Sequence, residues 1–169
     1  MIHVCSLARL QETVDATGAS HVVTLINKTY PVATPQGVQA ERHLWIDIDD
    51  ISAPLDGYIL PQDHHVEQLL TFVRAWDRAR PLVVHCHAGI SRSSAAAFVS
   101  ACAIAPKRDE LMIALAVRQA SPTALPNKRI VSIADRLLGR KGRMVAAVAA
   151  MSPYSPCHSE ALPFRIDLE

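Results

Sequence analysis

Cys86 closes the apolar run "PLVVHC", and Arg92 follows it across a five-residue gap filled by His87, Ala88, Gly89, Ile90 and Ser91. A short loop entering a helix aims its backbone N–H groups, here those of His87 to Arg92, at one point, and the helix dipole adds positive potential there. A phosphate dianion fits such a ring of donors. Gly89 lets the backbone curl tightly, and Arg92 offers a planar fork that can take two phosphate oxygens at once. Cysteines at helix amino termini ionise more readily than free thiols, and an ionised cysteine beneath a bound phosphorus is a nucleophile. Cysteine-x5-arginine spacing is weak evidence by itself. His85 before the cysteine, Gly89 three after it and Ser93 after the arginine make the extended motif specific.

The elements needed to present that loop are legible around it. "IHVCS" (2–6) reads as a strand, with Leu7, Leu10 and Val14 at helical spacing after it and Gly18 as a stop. "HVVTLIN" (21–27) is a continuously apolar strand of the kind buried in a parallel sheet, followed by a Pro/Gly-punctuated loop. "HLWIDID" (43–49) alternates in polarity as a third strand and runs into the turn-rich loop "DISAPLDGYILPQD". From Asp63 as N-cap, Val66, Leu69, Leu70, Val73 and Trp76 mark the buried stripe of a helix that ends before Pro81. The run before Cys86 is then the central strand. The segments after Arg92 have helical patterns broken at Pro122, Pro126, Gly139 and Gly142. These elements predict an α/β fold with a mostly parallel central sheet flanked by helices and a helical C-terminal half. Ligands bind such sheets at the carboxyl ends of strands, where Cys86 lies.

Composition narrows the function classes. The chain has 169 residues, enough to bury one core without disulfides or metals. Half of them are apolar, and 17 basic side chains balance 16 acidic ones, which gives no sign of a nucleic-acid binder. The four cysteines are irregularly spaced and form no CxxC pair, so a reducing compartment is expected, and Cys5, Cys102 and Cys157 read as packed residues. No basic leader with an apolar stretch opens the sequence, and no run is long enough to cross a bilayer. A cytoplasmic protein without membrane contact is the expectation.

"HCHAGISRS" (85–93) resembles the active-site signature of the cysteine-dependent protein tyrosine phosphatase superfamily, in its compact dual-specificity-like branch, with bacterial phosphatase-like members nearest. "SPTALPNKRIVSIADRLL" resembles the helical segment that follows the signature in that branch. A single phosphatase domain over 1–151 is expected, and "SPYSPCHSEALPFRIDLE" (152–169), which lacks a period, reads as a surface-running C-terminal tail packed on or beside it. The resemblance implies that Cys86 forms a phosphocysteine, that Arg92 clamps the phosphoryl group, that His85 orders the loop and that Ser93 eases departure of the thiolate. No metal or other cofactor is implied. In relatives the leaving group takes its proton from an aspartic acid at a strand end some thirty residues ahead of the cysteine. Asp47, Asp49, Asp50 and Asp56 are the candidates here, and Asp50, where the chain enters the loop, is preferred with Asp49 second.

The expected partner is a phosphorylated protein. Absence of lysine inside the loop tilts away from highly phosphorylated inositol headgroups, with a phosphoinositide or small phosphoester as runner-up. A non-catalytic module of the same fold, using the loop to hold a phosphorylated partner, is a further alternative. A low-molecular-weight phosphatase or arsenate-reductase layout, which puts the motif near the amino terminus, fails because Gln11 stands six after Cys5. Histidines 64, 65, 85 and 87 invite a metal site but lack ligand-like spacing. "GRKGR" (139–143) reads as a solvated helix junction.

Overall fold

The structure is a computed structural model and describes residues 1–156 and 159–168. Five strands form one sheet: β1 (Ile2–Ser6), β2 (His21–Leu25), β3 (His43–Ile46), β4 (Leu82–Cys86) and β5 (Phe164–Ile166), in the order β3-β2-β4-β1-β5. All pairings are parallel except that of β5 with β1. The sheet is thus mostly parallel, as expected, with an antiparallel edge.

Side chains alternate across the sheet and supply two cores. Ile2, Val4, Val23, Leu25, Leu82 and Val84 face α2 (Asp63–Ala75), α3 (Arg92–Ile104), α4 (Glu110–Ala120), α5 (Lys128–Leu137) and α6 (Arg143–Ala149). Cys5, Val22 and Val83 face Leu10 and Val14 of α1 (Leu10–Thr17) on the other side. Helix α2 buries Val66, Leu69, Leu70 and Val73 as its spacing predicts, each worth about 1.5–3 kcal/mol relative to exposure. Helix α3 is buried from Arg92 through Cys102. Its small residues, Ser93, Ser94, Ala95, Ala96, Ala97 and Ser100, keep most of its surface narrow, which lets the helix run through the middle of the molecule behind the loop it anchors.

Several expectations need correction. Strand β3 stops at Ile46, so Asp47 and Asp49 do not share a strand face. Asp47 instead accepts the Lys28 amide at 2.7 Å. The cap of α2 is Gln62, in a reciprocal capping box with His65, while Asp63 is the first helical residue. The segment read as a surface tail contributes β5, in which Phe164 and Ile166 are buried and pair with Val4 and Ile2. The "GRKGR" junction is not simply solvated. Arg140 is buried, 2.9 Å from Glu110, and donates to the Cys102 and Pro106 carbonyls, while Arg143 bonds the same carboxylate at 3.1 Å. Cys5 and Cys102 are buried as expected, with burial pushing both thiols up to about 12. Cys157 lies outside the described residues.

Candidate active site

The turn from β4 to α3 is held from outside by its carbonyls. His87 O accepts from the Leu7 amide at 3.1 Å, Ala88 O from Ala161 at 2.8 Å, Ile90 O from Leu125 at 3.0 Å, and Ser91 O from Asn127 at 3.2 Å. In a trans peptide the N–H points opposite the preceding C=O. Pinning those four carbonyls outward therefore turns the amides of Ala88, Gly89, Ser91 and Arg92 to the other side, towards the mouth of α3. Ser91 makes no side-chain cap on α3, so the helix's first amides and its dipole also face that mouth.

Gly89 makes the curl possible for two reasons. Its φ is +74°, and a Cβ there would lie 2.9 Å from the Cys5 carbonyl carbon and 3.0 Å from the Ser6 nitrogen. The loop is pressed onto the end of β1, which only a residue without a side chain allows. Ser6 in turn is hydrogen-bonded to Glu160, so the segment before β5 braces both the loop and its floor.

Within the curl Cys86 is almost fully buried, its Sγ 3.1 Å from the Ser93 hydroxyl. Arg92 is buried and donates through Nη1 to the Ile48 carbonyl at 3.1 Å. Its Nε is the unsatisfied buried side-chain donor among the described residues. A buried guanidinium N–H without a partner is costly, and an oxyanion resting on the loop amides would satisfy it. Buried His85 bonds Thr24 at 2.6 Å, and burial pushes its imidazole down to about 3. His87 sits edge-on to Tyr30, ring centroids 4.8 Å apart, with burial and then Arg92 lowering its pKa.

Asp50 Oδ1 accepts from Ser91 Oγ at 2.7 Å and from Asn127 Nδ2 at 2.9 Å. It lines, with Cys86, His87, Ala88, Ile90, Ser91 and Arg92, a cleft of about 740 Å³ whose far wall is Leu125–Lys128. Asp49 is spent elsewhere, accepting from Asn27 at 2.9 Å and from the Ile59 amide at 2.7 Å to close the loop after β3. Asp56 is exposed in a turn of that loop. The structure thus brings Cys86, Arg92, Ser93 and Asp50 together and leaves Asp47, Asp49 and Asp56 aside. Sequence reasoning missed Asn127, which caps α5 through the Arg129 and Ile130 amides while its amide holds Asp50. An asparagine ahead of an amphipathic run signals the cap, but nothing local signals the carboxylate. Among the described residues no group of three or more His, Cys, Asp or Glu could hold a metal ion, and no helix is long and apolar enough to cross a membrane.

Residues 56–127 match the protein-tyrosine phosphatase family model, a span that contains the whole Cys86–Arg92 loop and excludes Asp50. Similar folds occur in human DUSP28 (20% identity, 89% of this chain and 95% of that one, TM-score 0.62). The DUSP15 structure is likewise similar (14%, 91% and 94%, 0.65), as is the Cydia pomonella PTP-2 phosphatase (18%, 96% and 92%, 0.61). No curated protein sequence matches. Loop, fold and partial family match together resemble those of a protein-tyrosine-phosphatase-like hydrolase. Residues 56–127 are thus similar to the protein-tyrosine phosphatase family, and the fold is that of dual-specificity phosphatases.

Proposed function

We propose that this protein hydrolyses phosphomonoesters through a phosphocysteine intermediate, with phosphotyrosine on protein as the leading substrate and phosphoserine or phosphothreonine as further ones. One observation carries the proposal: the Cys86 sulfur, the unpartnered Arg92 Nε and the inward-turned loop amides converge on a cleft that the Asp50 carboxyl also lines.

In the first step the Cys86 thiolate attacks phosphorus, forming the S–P bond as the P–O bond to the leaving group breaks. The amides of Ala88, Gly89, Ser91 and Arg92 and the guanidinium of Arg92 hold the equatorial oxygens, whose charge they meet in fixed geometry. Protonated Asp50 delivers its proton to the departing oxygen. Ser91 and Asn127 set the direction of that carboxyl. In the second step water attacks the phosphocysteine, Asp50 takes the water's proton, and the S–P bond breaks to release phosphate. The Ser93 hydroxyl, 3.1 Å from Sγ, donates to the sulfur as it leaves with the electron pair. His85, neutral and behind the loop, takes no proton in either step.

The residues between Cys86 and Arg92 include no lysine, which favours a singly phosphorylated side chain. Lys128 on the cleft wall favours, as a second reading, a small phosphoester carrying another anionic group. Hydrolysis of para-nitrophenyl phosphate that needs no metal, is blocked by vanadate and disappears in Cys86→Ser is the expected result. Undiminished turnover in that variant refutes the catalytic reading. Capture of phosphate-bearing partners by an inactive wild-type chain would indicate a binding module instead.

A further inference from the structure

Behind the catalytic loop, polar side chains form a row across three adjacent strands. His43 of β3, Thr24 of β2 and His85 of β4 lie on the α1 side of the sheet, since Thr24 pairs with His85 and His43 with Val22, two residues from Thr24. Thr34 Oγ1 is 2.8 Å from His43 Nδ1, and His43 Nε2 is 2.7 Å from Thr24 Oγ1. Thr24 Oγ1 is 2.6 Å from His85 Nε2, and His85 Nδ1 is 3.4 Å from the Cys86 carbonyl oxygen. Such a row is unusual for β2, whose other residues after His21 are apolar.

A proton count gives the row one direction. Buried His85 is neutral at physiological pH and carries a single N–H. Its Nδ1 faces an oxygen that can only accept, so the proton sits on Nδ1 and Nε2 is left as an acceptor. The hydroxyl of Thr24 has one hydrogen and must give it to His85 Nε2. Its oxygen then accepts from Nε2–H of His43, whose Nδ1 accepts from the hydroxyl of Thr34. In the reverse direction His85 Nδ1 and the Cys86 carbonyl would face each other as two acceptors. The titratable and charged groups acting on His85 are His43, His87 and Arg92, and all three, when cationic, oppose a second proton on it.

We propose that Thr24 and His43 are positioning residues of the catalytic loop, which lock His85 in its Nδ1–H tautomer so that it holds the Cys86 carbonyl back and aims the His87 amide into the oxyanion cradle. The proposal builds on the phosphatase reading above. It extends the pinning of loop carbonyls to Cys86, the one nearest the nucleophile, and it reaches outward as far as Thr34 in the exposed loop before β3.

Nitrogen-15 correlation spectra of the imidazoles in the full chain test the assignment directly. The expected pattern is a protonated Nδ1 on His85 and a protonated Nε2 on His43. In Thr24→Val, which keeps the side chain's shape, His85 should populate the Nε2–H form. Turnover should then fall about five- to tenfold, the size of one lost buried hydrogen bond, with KM unchanged within about twofold and the acid limb of kcat/KM displaced upward. Thr24→Ser should restore tautomer and turnover together. A protonated Nε2 on His85 in the wild type overturns the proposal even if no variant folds. So does a Thr24→Val enzyme with native turnover and native acid limb. A wild type with the expected tautomers but no phosphatase activity would refute the catalytic reading instead, so the two failures are distinguishable.

Discussion

Replacing Gly89 by alanine tests the loop at its tightest point. At a φ of +74° a non-glycine residue carries about 1–2 kcal/mol of strain. The new methyl would also stand 2.9, 3.0 and 3.1 Å from three backbone atoms of Cys5 and Ser6. Those atoms belong to a strand that β4 pairs as far as Ser6 and β5 pairs as far as Val4, and they cannot rotate away as a flexible side chain could. Relief to ordinary contact needs the loop to lift by about half an ångström, an overpacking cost of about 1–3 kcal/mol. A total of about 2–5 kcal/mol corresponds to a fall in Tm of roughly 5–20 °C for a chain of this size. Catalysis should suffer beyond stability, because about 1 Å of misplacement in such a site costs about a hundredfold. We expect kcat/KM on para-nitrophenyl phosphate to drop about ten- to a hundredfold at a temperature where the variant is fully folded, and vanadate affinity to fall in parallel. Native kcat/KM and native Tm in Gly89→Ala would show that the loop does not rest on β1 as described.

Asp50→Ala should lower turnover most for substrates with poor leaving groups and little for para-nitrophenyl phosphate, read from a leaving-group series; an unchanged slope moves the proton donor to Asp49 or elsewhere. Asn127→Leu should both remove the α5 cap, at about 1 kcal/mol, and release Asp50, so denaturant melts and turnover should fall together. Burial alone would raise the Glu110 pKa, but its hydrogen bond to Arg143 and the charges of Arg143 and Arg140 outweigh that and hold it below the usual carboxylate value. Its stabilisation is therefore present above the unfolded-state pKa and lost as pH falls through the lower folded value. Glu110→Gln should cost about 3 kcal/mol at neutral pH by leaving Arg140 buried and unpaired, with a smaller deficit in acid, checked by urea melts across pH. Ala161→Pro removes the N–H that holds Ala88 O, and kcat/KM should fall several-fold; an unaffected enzyme would show that this brace is dispensable.

The loop between Cys86 and Arg92 was legible because its determinants are local. An apolar strand, a cysteine, a glycine that must adopt positive φ and an arginine opening a small-residue helix all lie within Leu82–Cys102. The order of strands and helices was legible for the same reason, since Val66, Leu69, Leu70 and Val73 repeat at helical period and Val22, Val23 and Leu25 crowd one short run. What the sequence hid is set by contacts between distant segments. Strand β5 is three residues long after Pro163, too short for any period, and exists because Val4 and Ile2 offer an edge. Arg140 looks solvated until Glu110 is found beside it, and Thr24 looks like an ordinary strand residue until His43 and His85 flank it. The preference for Asp50 over Asp49 rested on where the strand should end. The structure ends it earlier, at Ile46, and the choice turns instead on Asp49 being consumed by Asn27 and Ile59.

The amide of Ala161 holding Ala88 in place has a consequence for how the protein is made. Cys86 and Arg92 leave the ribosome well before the residue that fastens their turn, so a nascent chain carries both without their finished cradle. Chains that end before Ala161 should therefore be poor at gripping phosphate, and any dephosphorylating power should arise only once that residue has emerged.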